Sequence, residues 1–326
     1  MKYEEFLEQL RNRASSPSVE DRFRSRIAKL AESFDGTSIH ELDNEARRIA
    51  AEHNRAPRRE FDGLSAEEMH YFLYRPLEAG SPIRLRPNLP HEILDGVGFL
   101  RLAEELLKIV QRDGSVKLTA KLGALPGKVL LELYGHHFIP HSLLDDGLMK
   151  LRYEDDWCAM GSLHAVVRIA KLVRKIHGKL VLTKLGEKML SPQYREDLFR
   201  LVLCTFTRRF DWAYNDFYPD FPLCRDAYAF SLYLIARHGG AERPKHFYAE
   251  KFLAAFPMSL AEFEYETRSF STPTDDFRSC YSLRTFDRFL EWFNFVEVRH
   301  HPEADWRHQR SLIVRTETMD AVFKLG

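Results

Sequence analysis

The sequence predicts a mainly α-helical protein with small β-hairpins, arranged as tandem winged-helix-like modules behind an N-terminal helical region. Three observations carry that expectation. Apolar residues recur at helical spacing along much of the chain. A phrase occurs twice, as Gly114-Ser115-Val116-Lys117-Leu118-Thr119 and as Gly178-Lys179-Leu180-Val181-Leu182-Thr183. Near the C-terminus a helical stripe is followed by two alternating apolar segments around a charged tip. In each copy of the phrase the glycine supplies a turn, the next residues a short strand, and the threonine a cap for the following helix.

Composition bounds the possibilities. A chain of 326 residues exceeds the usual size of one core, and the expected parts are 1–60, 61–190 and 191–326. Hydrophobic residues make up 44% and aromatic residues 13%, which supports packed cores over disorder. Lys+Arg and Asp+Glu both number 48, so a uniformly basic coat is excluded and nucleic-acid binding would need a local patch. Cys158, Cys204, Cys224 and Cys280 are scattered, with no paired Cys-x-x-Cys and no leading apolar stretch. That pattern is expected of reduced thiols in the cytoplasm. No run approaches the roughly 18 apolar residues of a membrane span, so no membrane partner is expected.

Taken in order, residues 1–60 read as three helices. Tyr3, Phe6, Leu7 and Leu10 form one stripe, and Phe23, Ile27, Leu30 and Phe34 a second. Ser38 with Glu41 is spaced as a capping box opening a third helix through Ala51, and Ser65 with Glu68 repeats the device before Met69. Prolines and glycines from Pro76 to Gly98 mark a connector with one short helix near 90–95. Phe99, Leu100, Ala103, Leu106, Leu107 and Val110 make the helix before the first phrase; Val129, Leu130 and Leu133 lie in the helix after it. A turn-rich stretch covers 135–160. A helical stripe then runs from Leu163 through Val166, Val167, Ala170, Val173 and Ile176 into the second phrase.

Further helices are expected from Pro192 through Phe206, from Tyr228 to a stop at Gly239-Gly240, and from Phe247 to Phe256. Another begins at Ser282 and ends near Trp292. Phe295 to Arg299 alternates as a strand, 300–310 is a charged tip, and Leu312-Ile313-Val314 returns as its partner.

The stretches Gly63-Leu64-Ser65-Ala66-Glu67-Glu68-Met69, Lys117-Leu118-Thr119, Leu125-Pro126 with Leu131-Glu132-Leu133-Tyr134, and Gly178-Lys179-Leu180-Val181-Leu182-Thr183 occur in an order that resembles an uncharacterised family of bacterial proteins. The resemblance covers roughly residues 60–320 and implies a cytoplasmic bacterial protein with winged-helix-like repeats. Some relatives in that family carry a SEC-C metal-binding tail. This chain has no cysteine-rich tail, so the zinc such a tail would hold is not expected, and no catalytic residue is carried over.

The candidate site is a cluster of cations around the second phrase: Arg168, Lys171, Arg174, Lys175, Lys179, Lys184 and Lys188, with Glu187 the only acid from 163 to 190. Helical spacing would place Arg168, Lys171 and Lys175 on one face, with Lys179 and Lys184 flanking a projecting hairpin. Phosphates are held by such flexible cations beside a wing, and the resulting expectation is a non-enzymatic protein binding double-stranded DNA. The opposing reading of the same residues is a solvated helix face.

Two other functions are set against it. One is a protein–protein adaptor or scaffold using the aromatic-rich stretch 192–256. The other is a helical RNase-type toxin using Arg47 or Arg48 with His53. His136, His137 and His141, with Asp145 and Asp146 near, have some metal-site character, but Pro140 interrupts the helix that would align them, so no metal and no cofactor is expected. His300, His301 and His308, in the charged tip, meet the same objection.

Overall fold

The computed structural model describes residues 19–32, 39–264, 271–300 and 311–326. The expectations for Tyr3 to Leu10, Phe34, the Ser38 cap, His301 and His308 lie outside the described residues, as does the side chain of His300. The chain divides into two compact parts, residues 1–75 and 76–326.

The smaller part holds helices α1 (Val19–Glu32), α2 (Ile39–Arg55) and α3 (Ala66–Tyr74). Helix α1 buries no residue and α2 only Ile49, so these helices keep polar faces in water. Helix α3 opens on the expected capping box. The Glu68 N–H donates to Ser65 Oγ at 3.2 Å and the Ser65 N–H to Glu68 Oε2 at 2.7 Å.

The larger part is mainly helical with small antiparallel sheets. Its elements begin with β1 (Ile83–Leu85), α4 (His91–Asp95), α5 (Gly98–Arg112), β2 (Val116–Lys117) and α6 (Gly127–Tyr134). Then come α7 (Ser142–Asp145), α8 (Cys158–Ile169), β3 (Val173–Ile176), β4 (Lys179–Leu182), α9 (Lys184–Met189) and α10 (Arg195–Arg208). Next are α11 (Pro222–Asp226), α12 (Tyr228–His238), β5 (Arg243–Pro244), α13 (Lys245–Ala255) and α14 (Pro273–Ser282). The last of these runs on as a π-helical segment, Leu283–Leu290, followed by β6 (Val296–His300), β7 (Ser311–Arg315), α15 (Glu317–Val322) and β8 (Phe323–Leu325).

One order of elements occurs twice: helix, strand, two longer helices, hairpin, with the four-residue α7 inserted between the two helices of the first copy. The first module is α5, β2, α6, α8, β3, β4 and the second is α12, β5, α13, α14, β6, β7. In both, the early strand pairs with the last one, giving antiparallel sheets ordered β2-β4-β3 and β5-β7-β6. Beyond each sheet a threonine caps a short helix: Thr183 Oγ1 accepts from the Gly186 N–H and Thr316 Oγ1 from the Met319 N–H.

Two sequence expectations are corrected here. The repeated phrase does not mark two separate sheets, because β2 from the first copy pairs with β4 from the second, Val116 opposite Leu180 and Lys117 opposite Lys179. The helical stripe from Leu163 to Ile176 also stops early, at Ile169. Lys171 takes a left-handed φ of 60°, which ends the helix, and Val173 to Ile176 then become a strand. Val173 and Ile176, three apart, keep helical spacing and lie on opposite faces of the strand, so apolar spacing alone misassigned them. The hairpin turns on His177 (φ 45°) and Gly178 (φ 73°), the two-residue loop whose twist suits antiparallel strands.

The core is aromatic. Phe99 of α5 lies 5.2 Å from Phe206 of α10 and 5.1 Å from Phe293, and Phe206 lies 5.8 Å from Phe289 of the π segment. Such ring pairs add about 0.5–1.5 kcal/mol each beyond the area they bury. Within the second module Phe252, Phe277 and Tyr281 make a second cluster, fully buried.

The loop between α10 and α11 joins the two modules. Its Trp212 packs on Phe289 at 5.1 Å, and its Tyr214 hydroxyl lies against Gly161 of α8, where a Cβ would come within 2.9 Å. Its Asp216 carboxylate accepts two hydrogen bonds from Arg284, at 2.9 and 3.0 Å, with side-chain exposures of 2% and 1%. Arg288 donates to the carbonyls of Tyr214 and Asn215.

Candidate nucleic-acid interface

All seven cations singled out in the sequence are exposed. They do not share one helix face. Arg168 is in the last turn of α8, Lys171 in the turn that follows, and Arg174 and Lys175 are on β3. The fold nevertheless gathers these four: they line one open groove of about 710 Å³ between α8 and β3. Ala165, Ile169, Val173 and Thr183 complete its lining. Strand β3 is the edge of its sheet, so nothing within that sheet covers the groove side.

The remaining three extend the surface. Lys179 opens β4, Lys184 stands in the first turn of α9, and Lys188 lies one turn further with its Nζ 4.5 Å from the Tyr194 ring centre. A cation in the first turn of a helix opposes the helix dipole, so Lys184 is not placed there for helix stability.

The electrostatics distinguish this surface. Several arginines elsewhere are joined to acids: Arg101 to Asp95, Arg112 to Asp113 and Glu132, Arg195 to Asp95 and Glu104, Arg278 to Glu250, Arg299 to Glu242 and Glu297. Among the described residues none of the seven cations from Arg168 to Lys188 has an acid partner. In a chain of zero net charge this is a local excess of positive potential, open to a ligand with oxyanions.

Helix α8 itself offers little to a ligand. It buries Ala159, Met160, Gly161, Ser162, Leu163, His164, Val166 and Val167, and only Arg168 is exposed. His164 and Glu154 form a buried pair, Nδ1 and Oε1 2.8 Å apart, while the Glu154 Oε2 accepts from the Leu125 N–H at 2.7 Å. The pair fixes the loop before α6 against α8. Sequence reasoning missed it; the one signal was a histidine inside an apolar stripe. Lys117, across from Lys179, was also missed because strand pairing between distant segments has no local mark.

The other candidate residues are engaged elsewhere. His136 stacks on Phe138, and His137 Nδ1 lies 3.6 Å from an Asp145 carboxylate that also accepts from the Tyr134 hydroxyl. Among the described residues no three His, Cys, Asp or Glu side chains converge as a metal site. The Arg48 guanidinium lies between Glu45 and Glu52, and Arg47 pairs with Asp43. The His53 ring packs on Phe23 and bonds Arg58 at 2.6 Å. No described helix is long and apolar enough to cross a membrane.

Comparison with known proteins found no matching family model, no matching curated protein and no matching solved structure.

Proposed function

We propose that this chain is a non-enzymatic protein that binds nucleic acid, with double-stranded DNA the leading ligand, through a basic hairpin on a winged-helix-like module. The order helix, strand, helix, helix, hairpin with sheet order β2-β4-β3 supports the module. The single observation carrying the function is the unpaired cation cluster from Arg168 to Lys188 on the helix end and hairpin of that module.

The mechanism is counterion release: each lysine or arginine that meets a phosphate frees a condensed cation from the duplex. Fluorescence anisotropy of a labelled duplex at several salt concentrations tests it. Wild type should bind at low salt, with log K falling by about 0.9 per log unit of salt for each phosphate contacted. The double variant Arg168→Glu, Lys175→Glu should flatten that slope by about two and keep its melting temperature. Absence of binding by wild type at low salt refutes the proposal.

A second reading, a protein–protein adaptor, draws on exposed apolar side chains on α6 and in the stretch from α6 to α8. Leu131, Leu143, Leu148 and Tyr153 all stand in solvent there. Retention of a partner by a Leu131→Asp, Leu148→Asp variant would refute that alternative.

A further inference from the structure

The register of the first sheet brings out a contact residue and a class of ligand beyond the groove. Lys117 and Lys179 are direct partners across β2 and β4, and Ile176 is the partner of Lys179 on β3. Partners that sit opposite share a face, and residues two along a strand return to it. Arg174 with its partner Val181 therefore lies on the same outward face as Lys117, Lys179 and Ile176.

Like charges directly opposed across a strand pair destabilise a sheet. Lys117 and Lys179 are both exposed and neither has an acid partner among the described residues. The second sheet has no such opposition in its pairing: Arg243 faces Ile313 and Arg299 faces Leu312, and Arg299 is joined to Glu297 and Glu242. The first sheet thus keeps an unfavourable lysine pair that one glutamate would relieve.

We infer that the outward face of the β2-β4-β3 sheet is a sequence-blind seat for the sugar–phosphate backbone of a nucleic-acid duplex, with Lys117 and Lys179 as paired phosphate ligands. This rests on the function proposed above and narrows it in two ways. The bases are not read, because α8, the helix a winged module would present to a groove, exposes no side chain before Arg168. Single strands are disfavoured, because their bases need rings to stack on. Lys117, Arg174, Ile176, Lys179 and Val181 include no Phe, Tyr or Trp, and neither do the groove residues. The one ring at the tip is His177, in the turn.

The test compares wild type with Lys117→Glu and Lys117→Ala. Melting is followed at low and high salt, and anisotropy is measured with two duplexes of unrelated sequence and one single strand. Lys117→Glu should melt higher than wild type at low salt, a gain that fades at high salt. It should also bind both duplexes about tenfold more weakly at low salt, with the salt slope reduced by about one. Lys117→Ala should fall between. Opposite movements of stability and affinity exclude simple unfolding as the cause.

If wild type binds no duplex, the underlying function is wrong and this inference falls with it. If wild type binds and Lys117→Glu binds equally well, only the sheet face is refuted. Discrimination between the two duplexes, or preference for the single strand, overturns the ligand class.

Discussion

The two modules of the larger part share a backbone plan and differ in what they do with charge. In both, a residue in the left-handed region ends the third helix, Lys171 in one and Asn294 in the other. In both, a threonine hydroxyl after the hairpin donates back to that residue's carbonyl, Thr183 to Lys171 at 2.7 Å and Thr316 to Asn294 at 2.5 Å. A proline precedes the second helix of each, Pro126 and Pro244. Counting back from the shared threonines, Arg174 opposite Val181 occupies the place that Glu297 opposite Val314 holds in the second sheet. The third helix of the first module carries its arginine outward at Arg168, whereas that of the second turns Arg284 and Arg288 inward onto Asp216 and the loop around it. The same frame thus serves as a charged exterior in one copy and as a buried anchor in the other.

The largest effect should come from the anchor. Asp216→Ala leaves Arg284 charged, buried and without its carboxylate, and breaking a pair of this kind costs about 3–5 kcal/mol. Thermal or urea unfolding should show a melting temperature lower by roughly 10 °C. A midpoint matching wild type would mean that the inward arginines are not an anchor, and the contrast would collapse.

A smaller effect is expected on the exterior. Arg174→Glu gives the first sheet the charge pattern of the second, and should weaken duplex binding about tenfold at low salt. Arg299→Glu, at a cation already joined to two carboxylates on the second sheet, should leave binding unchanged. Equal losses from both would show that the two sheets are not electrostatically distinct.

Smaller again are the caps. Thr183→Ala and Thr316→Ala should each cost about 1 kcal/mol, read as shifts in the unfolding midpoint of similar size. One silent and one costly substitution would break the equivalence of the two modules.

The mildest readout is chemical. Burial pushes the Cys224 thiol up to about 11, and Cys280 beneath the π segment is driven up by the same cause. With Cys204 exposed on α10, a thiol reagent at pH 8 should label Cys204 in the native protein fast. Labelling of Cys224 or Cys280 should await denaturation. Rapid native labelling at those two would show α11 and the second module to be less well packed than the first.

Much of this plan was legible locally. Gly178 announced its turn, Thr183 its cap, Gly239-Gly240 the end of α12, and the alternation from Phe295 to Arg299 a strand paired with 312–314. These are signals written within a few residues. Partnerships over long separations were not legible. Nothing near Lys117 says that it will face Lys179, and nothing near Asp216 says that it will meet Arg284. The cation cluster was found by composition, yet for a mistaken geometric reason: its members meet through a helix end, a turn and a strand. Residues 173–176 show why, since an apolar pair three apart reads as helix and only the left-handed Lys171 turns the stretch into a strand.

The short sheet formed by β1 and β8 has a consequence in time. Ile83 pairs with Leu325 and the Gly326 N–H donates to the Pro82 carbonyl, so strands at opposite ends of the larger part close on one another. A ribosome adding about 5–20 residues per second needs tens of seconds to cover that separation. For that interval β1 has emerged without its partner, and its edge is free to pair with whatever is near. Both strands of the β3–β4 hairpin, four residues either side of a two-residue turn, emerge together and well ahead of β8. During synthesis both strands of the cationic hairpin are therefore present long before β1 can meet β8.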